Sequence, residues 1–197
     1  GTCPAGLVSV RNAWDGKHSG IELSDAEHNV IGGPGAELRN VISGNGRDGI
    51  QLSGADSNLV AGNYIGVDAT GTQLLRNSQS GTGDGIDIRF GAHSNIIGGS
   101  RSGEGNVICG CYNDGIRIHR GGHHNTILGN YIGVDATGGS ALGNQDHGVQ
   151  IYDGSHHNIV GTAGDGEGNV ISGNGEAGIE ISQEITRYNS AAGNIIG

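Results

Sequence analysis

Apolar residues recur at every second position in short segments of the chain, and Gly, Asn, Asp and Ser separate these segments. Alternation of this kind over four or five residues is typical of short β-strands, and Gly-rich separators are typical of turns. The first of three recurring signatures has the form Gly-(Ile/Val)-X-(Ile/Leu). It occurs six times, at Gly20, Gly49, Gly85, Gly115, Gly148 and Gly178.

Two further signatures follow each copy of the first in a fixed order. The second is an Asn with Ile or Val two positions later, and only its sixth copy, at Asn189, lacks that apolar residue. The third is Asn-X-Ile, which holds in every copy. The second begins at Asn29, Asn58, Asn95, Asn125, Asn158 and Asn189, and the third at Asn40, Asn63, Asn106, Asn130, Asn169 and Asn194.

Three short strands per repeat predict one coil of a solenoid, and the six copies therefore predict about six coils. Like strands of successive coils would stack in parallel about 4.8 Å apart. The aliphatic residues would form inward ladders, and the Asn side chains would form hydrogen-bonded ladders at the turns, because a buried amide needs partners. The predicted fold class is all-β: a single-stranded parallel β-helix with three short strands per coil and no capping helix.

Two types of coil alternate along the chain. The second and third signatures are separated by 11 residues in one type, as from Asn29 to Asn40, and by 5 in the other, as from Asn58 to Asn63. A repeating pair of coils explains why the nine residues NYIGVDATG stand at 63–71 and again at 130–138. Each copy predicts a third strand followed by an exit loop. We expect one solenoid domain, 1–197, of three two-coil units, 1–65, 66–132 and 133–197.

Composition agrees with this fold and excludes some partners. The 42 Gly among 197 residues disfavour helices and favour closely spaced turns. A formal net charge of −10, spread along the chain, disfavours nucleic acid as a partner. No run of about 18 apolar residues exists, so we expect no membrane insertion.

The motifs GIxI, NxIxG and NVISGN resemble the right-handed parallel β-helix repeats of pectate-lyase-like proteins and of large bacterial and archaeal secreted and surface proteins. The resemblance covers nearly the whole chain. It implies a right-handed coil, and it specifies the fold far better than any activity.

The same resemblance raises the possibility of catalysis, because some relatives of this fold cleave or epimerise acidic polysaccharides with carboxylate, Arg, His and Tyr side chains on one sheet. Outward positions of the first strand and its end supply one such set, Asp87, Arg89, Arg117, His119 and Tyr152. The alternative is a solvated face on which opposite charges pair across coils, as Asp87 would with Arg117. No catalytic motif matches, so a polysaccharide lyase or glycosidase is an alternative function and not the favoured one.

Histidines align in successive coils just before the second signature. Five of them fall in three adjacent coils: His93, His123, His124, His156 and His157. Stacked imidazoles are candidate ligands for a divalent ion such as Zn²⁺, Ni²⁺ or Cu²⁺, if their ring nitrogens converge. The alternative is a turn column in which neutral imidazoles stack without a metal.

Three cysteines are too few for a disulfide framework. Cys109 and Cys111 replace the Ser and Asn of NVISGN, and they are either free thiols or a strained bridge. Cys3 aligns with Cys111 three coils away, which is about 14 Å at strand spacing and too far for a disulfide.

One outward column of the third strand places two Tyr at alternate coils. It consists of Val41, Tyr64, Val107, Tyr131 and Val170. The Tyr rings could stack on the sugars of a polysaccharide, or they could be only residues that favour a strand.

The two ends of the chain predict an assembly interface. The sequence opens inside a repeat and stops at a third strand, and open solenoid ends present unpaired backbone groups. We therefore predict that copies stack head to tail into a fibre, or that the chain is part of a longer array. The predicted interface consists of Gly1, Thr2, Cys3, Gly20, Ile21, Glu22, Gly178, Ile179, Glu180, Asn194, Ile195, Ile196 and Gly197.

The favoured function is thus a non-enzymatic, extracellular structural or cell-surface solenoid whose main partner is a copy of itself. A polysaccharide-active enzyme and a glycan-binding adhesin are the two alternatives.

Overall fold

The computed structural model describes residues 12, 16–78 and 81–197. These residues form eighteen short strands in three parallel sheets of six. The first sheet contains β1 (Ile21–Ser24), β4 (Ile50–Ser53), β7 (Ile86–Arg89), β10 (Ile116–Ile118), β13 (Val149–Ile151) and β16 (Ile179–Ile181). The second contains β2 (Val30–Gly32), β5 (Leu59–Ala61), β8 (Ile96–Gly98), β11 (Thr126–Leu128), β14 (Ile159–Val160) and β17 (Ser190–Ala191). The third contains β3 (Val41–Ile42), β6 (Tyr64–Ile65), β9 (Val107–Ile108), β12 (Tyr131–Ile132), β15 (Val170–Ile171) and β18 (Ile195–Ile196).

Neighbours in each sheet come from successive coils, which confirms the predicted solenoid of six coils with three strands each. The register is the one that the signatures predict: Ile50 pairs with Ile86, Ile86 with Ile116, and Ile116 with Val149. Parallel strands joined by crossover connections are right-handed with few exceptions, so the fold is a right-handed parallel β-helix. The described residues contain no α-helix, and therefore no helix that is long and apolar enough to cross a membrane.

Aliphatic side chains from all three sheets fill the interior of the coil. Ile50, Ile86, Ile108, Ile127 and Ile132 are among the residues that are completely buried. The Gly that opens each first strand is required by this packing. A Cβ at Gly85 would collide with the side chain of Ile108 and with the carbonyl of Gly115. The glycine therefore brings successive coils and their core side chains into close contact.

Two asparagine ladders confirm the predicted stacking of amides at the turns. In the ladder before the second strand, Asn95 Nδ2 donates to Asn125 Oδ1 at 2.9 Å, and Asn125 Nδ2 donates to Asn158 Oδ1 at 3.0 Å. The backbone N–H of each residue donates to the same oxygen of the next coil. The ladder before the third strand repeats the pattern from Asn40 to Asn194. The buried amides are thus satisfied by their own copies.

A third ladder follows the third strand and was not predicted. Asn45 Nδ2 donates to Asn77 Oδ1 at 3.0 Å, and Asn144 Nδ2 donates to Asn174 Oδ1 at 2.9 Å. Cys111 stands between these pairs in the third coil, where its backbone N–H still donates to Asn144 Oδ1 at 3.0 Å. Cys109 and Cys111 are free, buried thiols, so the bridged alternative is wrong. Cys3 lies outside the described residues.

The exit loops that follow β6 and β12 are built around one aspartate each. Asp68 Oδ1 accepts hydrogen bonds from Thr70 Oγ1 and from two backbone N–H groups, and Asp135 makes the same contacts in the second copy. Gly71 and Gly138 close these turns in the left-handed region, with φ of 71° and 72°. The loops cover the outer face of the third sheet, where Val67, Val107 and Cys109 form a small second core.

In the asparagine ladder before the second strand, we expect a substitution in the interior to destabilise the protein far more than a substitution at the exposed end. Replacing Asn125 with Ala leaves two buried N–H donors of Asn95 without their acceptor, and it should lower the free energy of unfolding by about 2–4 kcal/mol. Asn29 stands at the exposed end of the same ladder, and Asn29→Ala should cost less than about 1 kcal/mol. Urea denaturation of both variants measures the difference, and equal losses would contradict the structural role assigned to the ladder.

Candidate functional site

The predicted histidine residues lie in two neighbouring columns at the turn between the first and second strands. His93, His123 and His156 pair with one another by parallel bridges from coil to coil. His124 and His157 follow directly in the chain and have φ of 55° and 56°. The two imidazoles of one coil are nearly perpendicular, with interplanar angles of 87° for His123 and His124 and for His156 and His157.

The imidazole rings stack along both columns. The ring centroids of His93 and His123 are 4.7 Å apart, those of His123 and His156 are 4.9 Å apart, and those of His124 and His157 are 4.8 Å apart. The last two pairs are parallel within 2°. Tyr188 continues the second column in the sixth coil, 4.9 Å from His157. We call these five histidines the histidine ladder.

Two ring nitrogens meet within each of two coils. Nδ1 of His123 lies 2.9 Å from Nδ1 of His124, and Nδ1 of His156 lies 2.9 Å from Nδ1 of His157. One nitrogen of each pair donates and the other accepts, so the two rings of one coil differ in whether Nδ1 carries the proton. His93 has Ser94 in the second position, and its Nδ1 lies 3.2 Å from the Ser94 hydroxyl. The ladder therefore contains two nitrogen pairs.

No three donors of the histidine ladder converge within the ranges that the structure describes. In the described part of the chain, the one group of three or more His, Cys, Asp or Glu side chains whose ligand atoms lie within 4.8 Å of one another is Asp48, Asp84 and Asp87. The five histidines thus offer pairs of donors in successive coils, and a single site with all of their nitrogens is not formed.

The charge along the ladder changes from acidic to basic. The first column reads Glu27, Asp56, His93, His123, His156 and Arg187 from the first coil to the sixth. Partial burial and then the neighbouring histidines lower the pKa of His123 and of His156. His123 and His156 contribute one ring to each nitrogen pair, and their lowered pKa favours the neutral imidazole that a metal ion needs.

The candidate catalytic residues do come together, on the outer face of the first sheet. His119 Nε2 lies 2.9 Å from Asp87 Oδ1, and the Tyr152 hydroxyl lies 3.3 Å from His119 Nδ1. Asp87 Oδ2 is 3.1 Å from Arg89 Nη1. Arg117 pairs with Asp87 at 3.7 Å, as predicted, but more closely with Asp84, at 2.6 Å.

The expectation that these positions form a solvated face is wrong for the central coils. Asp87 is completely buried, and Gln51 and His119 are nearly so. The reason is that Arg89 and Arg117 both pair with Asp87 and cover it. Arg117 also pairs with Asp84, which belongs to a column of buried acids before the first strands of coils two, three and four, Asp48, Asp84 and Asp114.

Sequence reasoning missed this column, although Asp-Gly-Ile occurs three times in the chain, at 48–50, 84–86 and 114–116. Asp48 Oδ1 accepts from the Asp84 backbone N–H at 3.0 Å, Asp84 Oδ1 from that of Asp114 at 3.2 Å, and Asp114 Oδ1 from that of His147 at 3.0 Å. The column is thus an aspartate version of the asparagine ladders.

The acids of this cluster differ in the direction of their pKa shifts: the pKa is raised for Asp84 and Asp114 and lowered for Asp87. Burial raises the pKa of Asp84 well above its usual range against the opposing effect of Arg117, and it raises the pKa of Asp114 to about 6. Burial would also raise the pKa of Asp87, but the hydrogen bond with His119 and the guanidinium of Arg117 lower it on balance. Asp87 is therefore the carboxylate that holds the two arginines and His119 in place.

The predicted assembly residues that the structure describes lie at the two ends of the β-helix. Gly20, Ile21 and Glu22 belong to the first coil, and Gly178, Ile179 and Glu180 to the first strand of the sixth. Asn194, Ile195, Ile196 and Gly197 form or flank β18, the outermost strand of the third sheet. Gly1, Thr2 and Cys3 lie outside the described residues, so nothing in the structure bears on their part in the interface.

Comparison with known proteins gives one structural match and one family. The structural match is a crystal structure of a mutant of the periplasmic alginate epimerase AlgG, with 16% sequence identity and a TM-score of 0.39. It covers 88% of this chain, which spans half of the length of that structure. This likeness does not bear on activity. A comparison with curated protein sequences finds no match.

The family comparison covers the first four coils. Residues 7–138 match the model of a family described as periplasmic copper-binding protein (NosD), and they include His93, His123 and His124. His156 and His157 lie beyond the matched range and continue the same columns into the fifth coil. Since the match covers about two thirds of the chain, this β-helix protein belongs to the NosD family.

Proposed function

We propose that this chain is a non-enzymatic β-helix that binds copper or a similar divalent transition-metal ion through the histidine ladder. The observation that carries the proposal is the pair of Nδ1 atoms 2.9 Å apart in each of two successive coils. Imidazole nitrogen is a preferred donor for copper, zinc and nickel. The family description, which names copper, supports copper as the first choice among these ions.

The nitrogen pairs fit a metal ion as neighbouring ligands. Metal–nitrogen bonds of about 2.0–2.1 Å allow one ion to contact two nitrogens 2.9 Å apart, at an angle near 90°. Such an angle suits the tetragonal geometry of Cu²⁺ better than the tetrahedral geometry of Zn²⁺. Binding would move the Nδ1 proton of one ring to its Nε2, so that both Nδ1 atoms present lone pairs. Each ion would take its remaining ligands from outside the pair.

The two pairs would hold separate ions. Successive coils are about 4.8 Å apart, so the four nitrogens form a rectangle whose centre is about 2.8 Å from each, which is too long for a metal–nitrogen bond. Two ions at this separation repel each other, and the second should bind more weakly than the first.

The candidate catalytic residues support a structural role in preference to an enzymatic one. Asp87 is completely buried, and its oxygens already face Arg89, Arg117 and His119. A base or nucleophile must reach its substrate, and a carboxylate in this position would have to break ion pairs first. The cluster instead joins four coils through Asp48, Asp87, Arg117 and Tyr152.

A location outside the cytoplasm is consistent with the description of the family as periplasmic. An extracellular or cell-surface position remains part of the proposal, and so does a structural role for the solenoid.

We predict that the protein binds two Cu²⁺ ions and that each substitution in a pair removes one. His123→Ala and His156→Ala should each bind a single ion, and the double variant should bind none, because a lone exposed imidazole is a weak ligand. His93→Ala is the matched control: His93 belongs to the same stacked column but has Ser94 where the others have a second histidine, so this variant should still bind two ions. Isothermal titration at pH 7.5 and elemental analysis after gel filtration measure the stoichiometry.

Acid should release the metal, since protons compete for the same nitrogens. A protein that takes up no copper at neutral pH, or a double variant that binds as much copper as the wild type, would refute the metal-binding proposal.

Continuation of the solenoid beyond the sixth coil, by the first coil of a second copy or by further coils of a longer array, is a second proposal, and apolar exposure at the sixth coil favours it. Ile181, Ile195 and Ile196 are 42%, 68% and 54% exposed. In the fifth coil, Ile151 pairs with Ile181 and Ile171 pairs with Ile196, and both Ile151 and Ile171 are completely buried. The strands β16, β17 and β18 also have a neighbour on one side alone among the described strands. The first coil of a second copy carries the same three strand signatures and would continue every sheet.

We predict that concentrated protein forms fibres with an axial repeat of about 29 Å, six coils at strand spacing. Ile181→Asp together with Ile196→Asp should prevent their growth, because each places a charge on the proposed joint, while Ile159→Asp, on an exposed position of β14, should not. Light scattering and electron microscopy distinguish the outcomes. A wild-type protein that stays monomeric at high concentration would count against the joint.

A further inference from the structure

A groove of about 320 Å³ runs over the outer face of the third sheet. Its floor contains Tyr64, Val107 and Tyr131, which pair in register in coils two, three and four. One wall is the loop between the second and third strands of the third coil, with Gly166 of the fifth coil beyond it. Ala136 of an exit loop lines the opposite side. The groove therefore extends along the axis of the β-helix.

Backbone hydrogen bonds hold each wall in place. Gly62 N–H donates to Glu104 O at 2.8 Å, which joins the turn of the second coil to the loop of the third. Ala136 N–H donates to Gly71 O at 3.0 Å, which joins the two exit loops to each other. The groove is thus a preformed feature, and a ligand would not have to order its walls.

Two half-buried tyrosine rings provide the aromatic surface of the floor. Tyr64 and Tyr131 are two coils apart, about 9.6 Å at strand spacing. Each ring packs beside a glycine of an exit loop, Tyr64 beside Gly71 and Tyr131 beside Gly138. Any side chain at these glycines would collide with the ring. The two glycines therefore allow the exit loops to hold the rings in place.

The charge of the groove is opposite to that of the chain. Arg39 and Arg101 line it, and no acidic residue does so in the described part of the chain, although 20 acidic and 10 basic residues give a net charge of −10. The guanidinium of Arg39 lies 4.1 Å above the Tyr64 ring, and its Nε donates to Gly62 O at 3.3 Å. Arg101 forms no ion pair with any described residue; Glu104 accepts a hydrogen bond from its backbone N–H instead. Neither guanidinium group therefore has a carboxylate partner among the described residues.

We propose that this groove binds an acidic glycan, a linear oligosaccharide with carboxylate groups that lies along the helix axis. The Tyr131 ring offers a flat apolar surface to the C–H face of a sugar ring, whereas one face of Tyr64 already carries the Arg39 guanidinium, and the tyrosine hydroxyls add polar contacts. Guanidinium groups bind carboxylates through two parallel hydrogen bonds. Ser100, Ser102 and the glycine backbone supply further groups that match hydroxyl-rich ligands.

An extended peptide fits the groove less well. A peptide that bound as an added strand would need a free sheet edge, but β6, β9 and β12 are paired on both sides. The groove is also separate from the histidine ladder, which lies before the second sheet, so that glycan binding and metal binding can be lost independently.

Titration calorimetry with hexasaccharides tests the proposal. The probes are hexagalacturonate and hexamannuronate, with the neutral xylohexaose as the comparison, in the wild-type protein without added metal. We expect at least one acidic hexasaccharide to bind. Its affinity should fall as the salt concentration rises from roughly 20 to 300 mM, because salt screens the attraction between the carboxylates and the guanidinium groups. Arg101→Ala should weaken this binding about tenfold or more, and Arg39→Ala/Arg101→Ala should weaken it further.

Arg120→Ala is the matched control, because Arg120 is an exposed arginine that also packs over an aromatic ring, Phe90, but lies at the end of the first sheet. It should bind the hexasaccharide as the wild type does, and circular dichroism should be the same for all variants. The proposal is overturned if neither acidic hexasaccharide binds at millimolar concentration, if xylohexaose binds equally well, or if Arg39→Ala/Arg101→Ala binds as tightly as the wild type.

Discussion

Hydrogen bonds between identical side chains in successive coils are the interaction on which this structure depends. Each interior asparagine of a ladder donates to the next one and accepts from the previous one, and its oxygen also takes the backbone N–H of the previous coil. A shift of one coil by a single residue would leave these buried groups without partners, at a cost of about 1–3 kcal/mol for each. The ladders therefore fix the register of all three sheets, and the aliphatic core packs within that register.

A fixed register has a chemical consequence, because any residue type that recurs at one position becomes a column of like groups about 4.8 Å apart. Asn in such a column satisfies itself. An ionised Asp in the column of Asp48, Asp84 and Asp114 has no N–H or O–H of its own to donate to the next coil. Arg117 pairs with Asp84, and the pKa values of all three acids are raised. The pKa is lowered for His123 and His156 in their column, which favours the neutral imidazole. The same stacking thus gives an inert ladder, a buried charge cluster or a row of metal donors, according to the residue that repeats.

The sequence was sufficient to predict the strands, their order and the two main ladders, because those features depend on contacts between equivalent positions. Even β17 forms at Ser190–Ala191, where the apolar signature fails, since Asn189 still joins the ladder. Features that depend on contacts between different columns were not predictable. The burial of Asp87 results from Asp84, Arg89 and Arg117, which belong to three positions of the repeat. The nitrogen pairs of the histidine ladder depend on the left-handed φ of His124 and His157, which the alignment of histidines could not reveal.

The central claim is that this register builds a pair of imidazole nitrogens in each of two coils and that each pair holds one metal ion. Anomalous diffraction at the copper absorption edge, from crystals grown with Cu²⁺, tests it most directly. We expect two peaks about 4.8 Å apart, one beside Nδ1 of His123 and His124 and the other beside Nδ1 of His156 and His157. Peaks at other residues in place of these, or no copper peak at the histidine ladder, would contradict the account.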